Sequence, residues 1–195
     1  MQRFHGRAIA LRILGALAVL VMVTACSERL EWRELKSADG YAVLLPGRAQ
    51  TVAREVEFEG QRLALSMTST GVGPTLFAVG VARLPSALAE DAAARERAIA
   101  YFRDALVRNI GGQVTASGTA TLAGPEGART VVKAAQAVEA RGRGGDGRPA
   151  TLAARFFIVD DRLFEVIAVG GEGALDPNAL DTYFTSFRVL PGGNP

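Results

Sequence analysis

Beyond residue 30, most of the chain alternates apolar and polar positions with a period of two, the pattern of half-buried strands. Leu30 to Leu35 sets Leu, Trp and Leu between charged residues, and Asp39-Gly40 then signals a turn. Tyr41 to Leu45 is a short apolar strand stopped by Pro46-Gly47. From Thr51 to Phe58, positions Val52, Arg54, Val56 and Phe58 point one way, with Arg54 the exception to an apolar face. Gly60-Gln61 turns the chain into Arg62 to Thr68, where Leu63, Leu65 and Met67 align, so the two segments predict a hairpin. Leu76 to Leu84 reads as another strand, ended by Pro85.

The period lengthens between Glu90 and Ile110. Ala94, Ala98, Tyr101, Phe102, Ala105, Leu106 and Ile110 recur at helical spacing, while Arg95, Arg97, Arg103 and Arg108 mostly take the other side. Glu90 and Asp91 are expected in the first turn, where the helix dipole favours acids, and Gly111-Gly112 ends the helix. Strands are expected again at Gln113 to Leu122, Ala128 to Ala140, Ala150 to Val159 and Leu163 to Val169. Asp160-Asp161 joins the last two as a tight hairpin. Asp176-Pro177 has the form of an N-cap followed by proline at the first helical position, and Leu180, Tyr183, Phe184 and Phe187 give this closing helix an apolar face. About eight strands in hairpin order and two helices predict a single α+β domain over 32–190, an antiparallel sheet covered by helices. Residues 191–195 read as a frayed tail.

The chain start follows a different rule. Arg3, His5, Arg7 and Arg12 precede an uncharged run from Ile13 to Ala25. That run is too short for a membrane-spanning helix, which needs about 20 residues, and fits the apolar core of a secretory signal. Small residues then lead to a cysteine in Val23-Thr24-Ala25-Cys26. This tetrapeptide resembles the lipobox of bacterial lipoproteins. The resemblance implies a signal peptide over 1–25, cleavage before Cys26, a diacylglyceryl thioether on its sulfur and an acylated amino terminus. Residues 26–31 would be a short tether, holding the domain close to the bilayer. Ser27 at the following position favours, by analogy with enteric lipoproteins, the outer over the inner membrane, with the domain facing the periplasm.

A second resemblance rests on Ser37-Ala38-Asp39-Gly40-Tyr41-Ala42-Val43-Leu44-Leu45-Pro46-Gly47, on the long middle helix, and on the Arg155-Phe156-Phe157-Ile158-Val159 strand with its hairpin mate. The closing helix ending in Phe184-Thr185-Ser186-Phe187 completes it. Together these look like PsbP/Mog1-like domains. That likeness implies an α/β/α sandwich around an antiparallel sheet, in a group made up mostly of binding or assembly factors. It carries over no functional residue.

Composition narrows the chemistry. Of 22 basic residues, Arg3, Arg7 and Arg12 fall in the leader, which leaves 19 against 20 acidic ones and no basic excess for nucleic acid. The one histidine, His5, precedes the cleavage point and Cys26 is the one cysteine, so the mature chain lacks Ser-His-Asp and Cys-His catalysis, common zinc sites and internal disulfides. No cofactor is expected. Gly142-Arg143-Gly144-Gly145-Asp146-Gly147 matches G-x-G-x-x-G, but Pro149 and a strand follow where a dinucleotide loop needs a helix. It reads as a hairpin loop, and its Arg141, Arg143 and Arg148 make it a candidate contact for an acidic partner or anionic lipid. Asp160 and Asp161 fit a turn better than an acid/base pair. Glu165, between Phe164 and Val166, is expected on the opposite, solvent-exposed face. Arg54 has two open roles, a buried ion-pair partner or an edge marker. The aromatic residues read as core, although periodicity does not separate a filled core from a lined pocket. The sequence therefore points to a non-catalytic, lipid-anchored envelope protein with a protein partner. The alternatives are a carrier or sensor of an apolar ligand and, more remotely, a hydrolase using carboxylates or a serine beside Lys36 or Lys133.

Overall fold

A strand that is apolar on both faces must be covered on both, and three consecutive neighbours in the sheet meet that description. They are β5 (Thr75–Arg83), β9 (Arg162–Gly171) and β8 (Pro149–Val159). The computed structural model describes residues 30–122 and 130–190. The expected signal peptide, Cys26, the start of a strand at Ala128 and the tail 191–195 lie outside them. Around the central trio the sheet runs β3-β4-β5-β9-β8-β7-β6, antiparallel throughout. Here β3 is Gln50–Phe58, β4 Gln61–Val72, β6 Gln113–Gly118 and β7 Val132–Arg143.

Two layers cover this sheet. On one face lies α2 (Ala92–Asn109), preceded by the short α1 (Ser86–Glu90). Phe102, Ala98 and Ile99 of α2 pack with Leu63, Leu65, Phe156, Ile158 and Leu163. On the other face lie a three-stranded sheet of β1 (Trp32–Ser37), β2 (Tyr41–Pro46) and β10 (Arg188–Val189), and α3 (Pro177–Ser186). Tyr41, Phe187 and Tyr183 of that layer pack with Phe77, Phe157 and Phe164. The α+β, antiparallel class expected from the alternation is the class observed.

Several expectations shift. The single helix from Glu90 to Ile110 is two: Asp91 is extended at φ −83° and ψ 121°, and its carboxylate accepts from the Ala94 amide at 2.5 Å. An aspartate that caps the backbone ends one helix and starts the next, so Glu90 closes α1 instead of opening α2. The expected strand to Leu122 stops at Gly118, because the chain leaves the edge to bury Ala120 and Leu122 in the second core. The described residues hold ten strands, not about eight, and the separate small sheet was not foreseen. At α3 the N-cap expectation holds: Asp176 accepts from the Ala179 amide at 2.8 Å, with Pro177 next. Asp160 turns the β8–β9 hairpin with φ 57°, and Arg162 behind it is buried, donating to the Asp39 and Gly40 carbonyls at 3.3 Å.

The C-terminus of α2 presses against the β7–β8 hairpin. A Cβ on Gly142 would lie 2.2 Å from the Ile110 carbonyl oxygen, a backbone atom that has no room to yield. A Cβ on Gly145, three residues on, meets nothing within 4 Å. Gly142→Ala should therefore lower stability by about 2 kcal/mol, the usual cost of overpacking. Gly145→Ala should stay within about 0.5 kcal/mol of the parent. Urea denaturation of the two variants measures the contrast.

Candidate functional site

Beyond β8 the second layer thins: Val132, Ala135 and Ala137 of β7 meet its core only partly buried, and β6 is exposed along its length. An open trough of about 540 Å³ results. Its floor is made of small side chains, Ala137 and Ala153 among them, and α3 forms one wall with Leu180 and Phe184. Ala116, Ser117 and Gly118 of β6 line the opposite side, and β6 ends the sheet with every residue exposed. The trough holds one half-buried cation, Arg155, whose guanidinium stacks over the Phe184 ring at 4.4 Å. Burial pushes the Arg155 pKa down, against the opposing charge of Asp181. Glu139 and Asp181 mark the rim. A β-bulge between Val114 and Ala116 twists the start of the edge, leaving 116–118 as its regular part.

The motif and charge pattern along the sequence did not single out Arg155. The signal available was one cation within an otherwise apolar strand, opposite the run of alanines in β7. The residues it did single out fall elsewhere. Arg141, Arg143 and Arg148 lie on the β7–β8 hairpin, away from the trough. Arg143 donates to the Gly147 carbonyl at 3.0 Å, and Arg148 pairs with Asp146 at 3.6 Å. No helix follows this glycine-rich turn, as expected. Asp161 pairs with Arg83 at 3.3 Å and Asp160 with Arg162 at 3.4 Å, which is turn chemistry. Lys133 is bonded to Glu90 at 2.8 Å, and Lys36 lies 3.6 Å from Glu34, so both amines face carboxylates. Arg54 is exposed on edge strand β3, which settles its two open roles in favour of the edge. Among the described residues no three His, Cys, Asp or Glu side chains gather as a metal site would need. No described helix is long and apolar enough to cross a membrane.

Glu165 overturns its expectation. It does point away from Phe164 and Val166, but that direction leads into the core under α2, beside Leu163 and Ile167. The residue is 1% exposed. Its side chain lies over Gly80 of β5, where a Cβ would stand 2.4 Å from Oε1. On its other flank the cross-strand row continues through Phe156 to Gln136, whose Oε1 is buried without a hydrogen-bond partner. Burial lifts the Glu165 carboxyl to about 7, with Arg54 pulling weakly the other way. Alternation alone assumes that the second face is wet; here α2 dries it.

Comparison with protein-family models and with curated proteins finds no match to the chain. The site is accordingly read from its geometry.

The titration of Glu165 has a definite sign. Below its ordinary 4.5 the carboxyl is protonated in folded and unfolded chains alike, and folding loses nothing. Between 4.5 and about 7 the unfolded chain releases the proton while the folded chain holds it, so stability falls as pH rises. Above about 7 the full cost, about 3 kcal/mol, is present. Glu165→Gln should thus stabilise the protein at pH 8 by up to about 3 kcal/mol and change little at pH 4. Urea midpoints of both proteins across this range read the crossover.

Proposed function

We propose that the chain is a lipid-anchored envelope protein, held by Cys26 and acting as a non-catalytic binding or assembly module at the membrane surface. Support for the anchor comes from Val23-Thr24-Ala25-Cys26 directly after a short uncharged run. The same residues support export to the periplasmic side, and Ser27 favours the outer membrane. The order of elements supports a PsbP/Mog1-like sandwich. That support is the succession, in this chain, of the turn and strand at 37–47, the central helix, the β8–β9 hairpin and the closing helix.

One observation carries the binding role: the trough beside the free edge of β6. An extended protein segment pairing with β6 at 116–118 would satisfy exposed backbone groups and lay alternate side chains over the alanine floor. Arg155, fixed by its stack on Phe184, offers a partner carbonyl or carboxylate a donor at the end of that floor. The runner-up reading, a carrier or sensor of an apolar ligand, asks for a continuous apolar cavity of several hundred Å³; the trough has that volume but is open along β6. Acid/base work by Glu165 has no support, since its carboxyl lies under α2 and outside the trough.

A photoreactive residue at Ser117, in otherwise intact cells, should give a discrete protein adduct. Arg155→Glu should reduce that adduct about tenfold, the loss of one charge-assisted hydrogen bond. The same reactive residue at Arg62, on the far hairpin, should give no such adduct. Equal labelling from both positions would exclude the trough as the binding surface. Cys26→Ser should release the chain from membranes and remove the lipid mass from its amino-terminal peptide.

A further inference from the structure

We propose that one end of the domain, the end carrying the Arg141–Arg148 hairpin, rests on the anionic headgroups of the bilayer. This rests on the reading of Cys26 as a lipid anchor and adds to it an orientation.

The strand registers define the two ends. Thr75, Gly170, Thr151, Arg141 and Gln113 form one cross-strand row at one end of the large sheet. Arg83, Arg162 and Val159 form a row at the other. The chain enters the described fold at the first end. Trp32 stacks edge-on against Phe77 at 5.9 Å and lies opposite Pro46. A Cβ on the following Gly47 would be 3.4 Å from Thr70 Oγ1, and Thr70 itself pairs with Phe77. Leu30, two residues before Trp32, packs into the same core together with Leu175. Cys26 is four residues from Leu30, a span of about 14 Å at most, whatever its conformation. A lipid on Cys26 therefore brings this end, and not the other, to the membrane.

The β7–β8 hairpin extends from the same end. It is three strands across the sheet from β5, about 14 Å to the side of the entry point. The C-terminus of α2 is pressed against it and adds Arg108. The charges differ between the ends. The anchor end presents Arg48, Arg108, Arg141, Arg143 and Arg148 against Asp146, Glu172 and Asp176. At the far end the charges balance, with Asp39, Glu59, Glu90, Asp91, Asp160 and Asp161 against Arg62, Arg83, Arg95, Arg97, Lys133 and Arg162, and with Arg97 on Glu59 and Lys133 on Glu90. An anionic surface attracts the first end and has no net charge to act on at the second, within a Debye length of roughly 8–10 Å. Two net positive charges on the hairpin favour the docked orientation about 30-fold.

The test uses the full chain, purified in lipidated form and reconstituted in phosphatidylcholine vesicles with and without phosphatidylglycerol. Trp32, the single tryptophan, is replaced by Phe, and a reporter is placed by Gly145→Trp at the hairpin, where a Cβ meets open space. A matched reporter, Gln61→Trp, sits exposed at the far end. Fluorescence quenching by headgroup spin-labelled lipid should be strong at position 145 and absent at 61. It should weaken at position 145 without phosphatidylglycerol, in high salt, and on changing Arg141, Arg143 and Arg148 to Glu. Equal quenching at 145 and 61 overturns the orientation while leaving the anchor intact. An unmodified Cys26 in the mass spectrum of the purified chain overturns the anchor and the orientation together. Should the triple charge reversal fail to fold, the comparison of lipid compositions with Gly145→Trp alone still decides.

Discussion

The two-sided apolar character of β5, β9 and β8 is the constraint from which the architecture follows. Val79 and Ala78, Phe157 and Phe156, Phe164 and Leu163 put adjacent side chains into opposite cores. Neither face of this trio tolerates water, so the chain must supply a layer for each. It does so with unlike parts: a long helix on one side, and a small sheet with a short helix on the other.

The two layers are not in register across the sheet. The helix reaches from the β3–β4 hairpin, where Tyr101 meets Phe58 and Arg97 meets Glu59, to β6, β7 and β8, whereas the small sheet and α3 lie over β4, β5, β9 and β8. The offset leaves the trough where the second layer thins, and it leaves β3 largely exposed at the opposite edge. The second layer is also the more tightly tied. The Tyr183 hydroxyl donates to the Ala78 carbonyl at 2.7 Å, the Leu44 amide donates to Ser186 Oγ at 2.9 Å, and Arg162 holds the β1–β2 turn. Burial raises the Tyr183 pKa further above neutral, in keeping with a hydroxyl that acts as a donor. These ties fix the trough wall that carries Phe184.

The same dryness that builds the core sets the state of Glu165. A carboxyl without an ion-pair partner, lodged in the space that Gly80 leaves open, keeps its proton to about neutral pH. Ion pairs nearer the surface behave in the opposite way. Arg188, Arg97 and Lys133 hold the carboxyls of Glu34, Glu59 and Glu90 below their ordinary value. Those paired carboxylates lie near solvent whereas Glu165 lies unpaired in the core, an arrangement that costs stability as pH rises through its range.

Local pattern was enough for the hairpins, the long helix, the Asp176-Pro177 helix start and the α+β class, because alternation, turn residues and caps act over a few residues. The break at Asp91 was written in the chain as well, in the capping habit of an aspartate, but helical spacing on both sides hid it. What local pattern did not carry was the environment of each face. Nothing in Phe164-Glu165-Val166 says that the distant helix Ala92–Asn109 lies over Glu165, and nothing in Arg155 says that Phe184 waits beneath it. Nor does the arginine hairpin disclose that the chain's entry point shares its end of the sheet. Those facts depend on strand order and on how far each covering layer extends, which are settled only when distant segments compete to bury the same apolar surface.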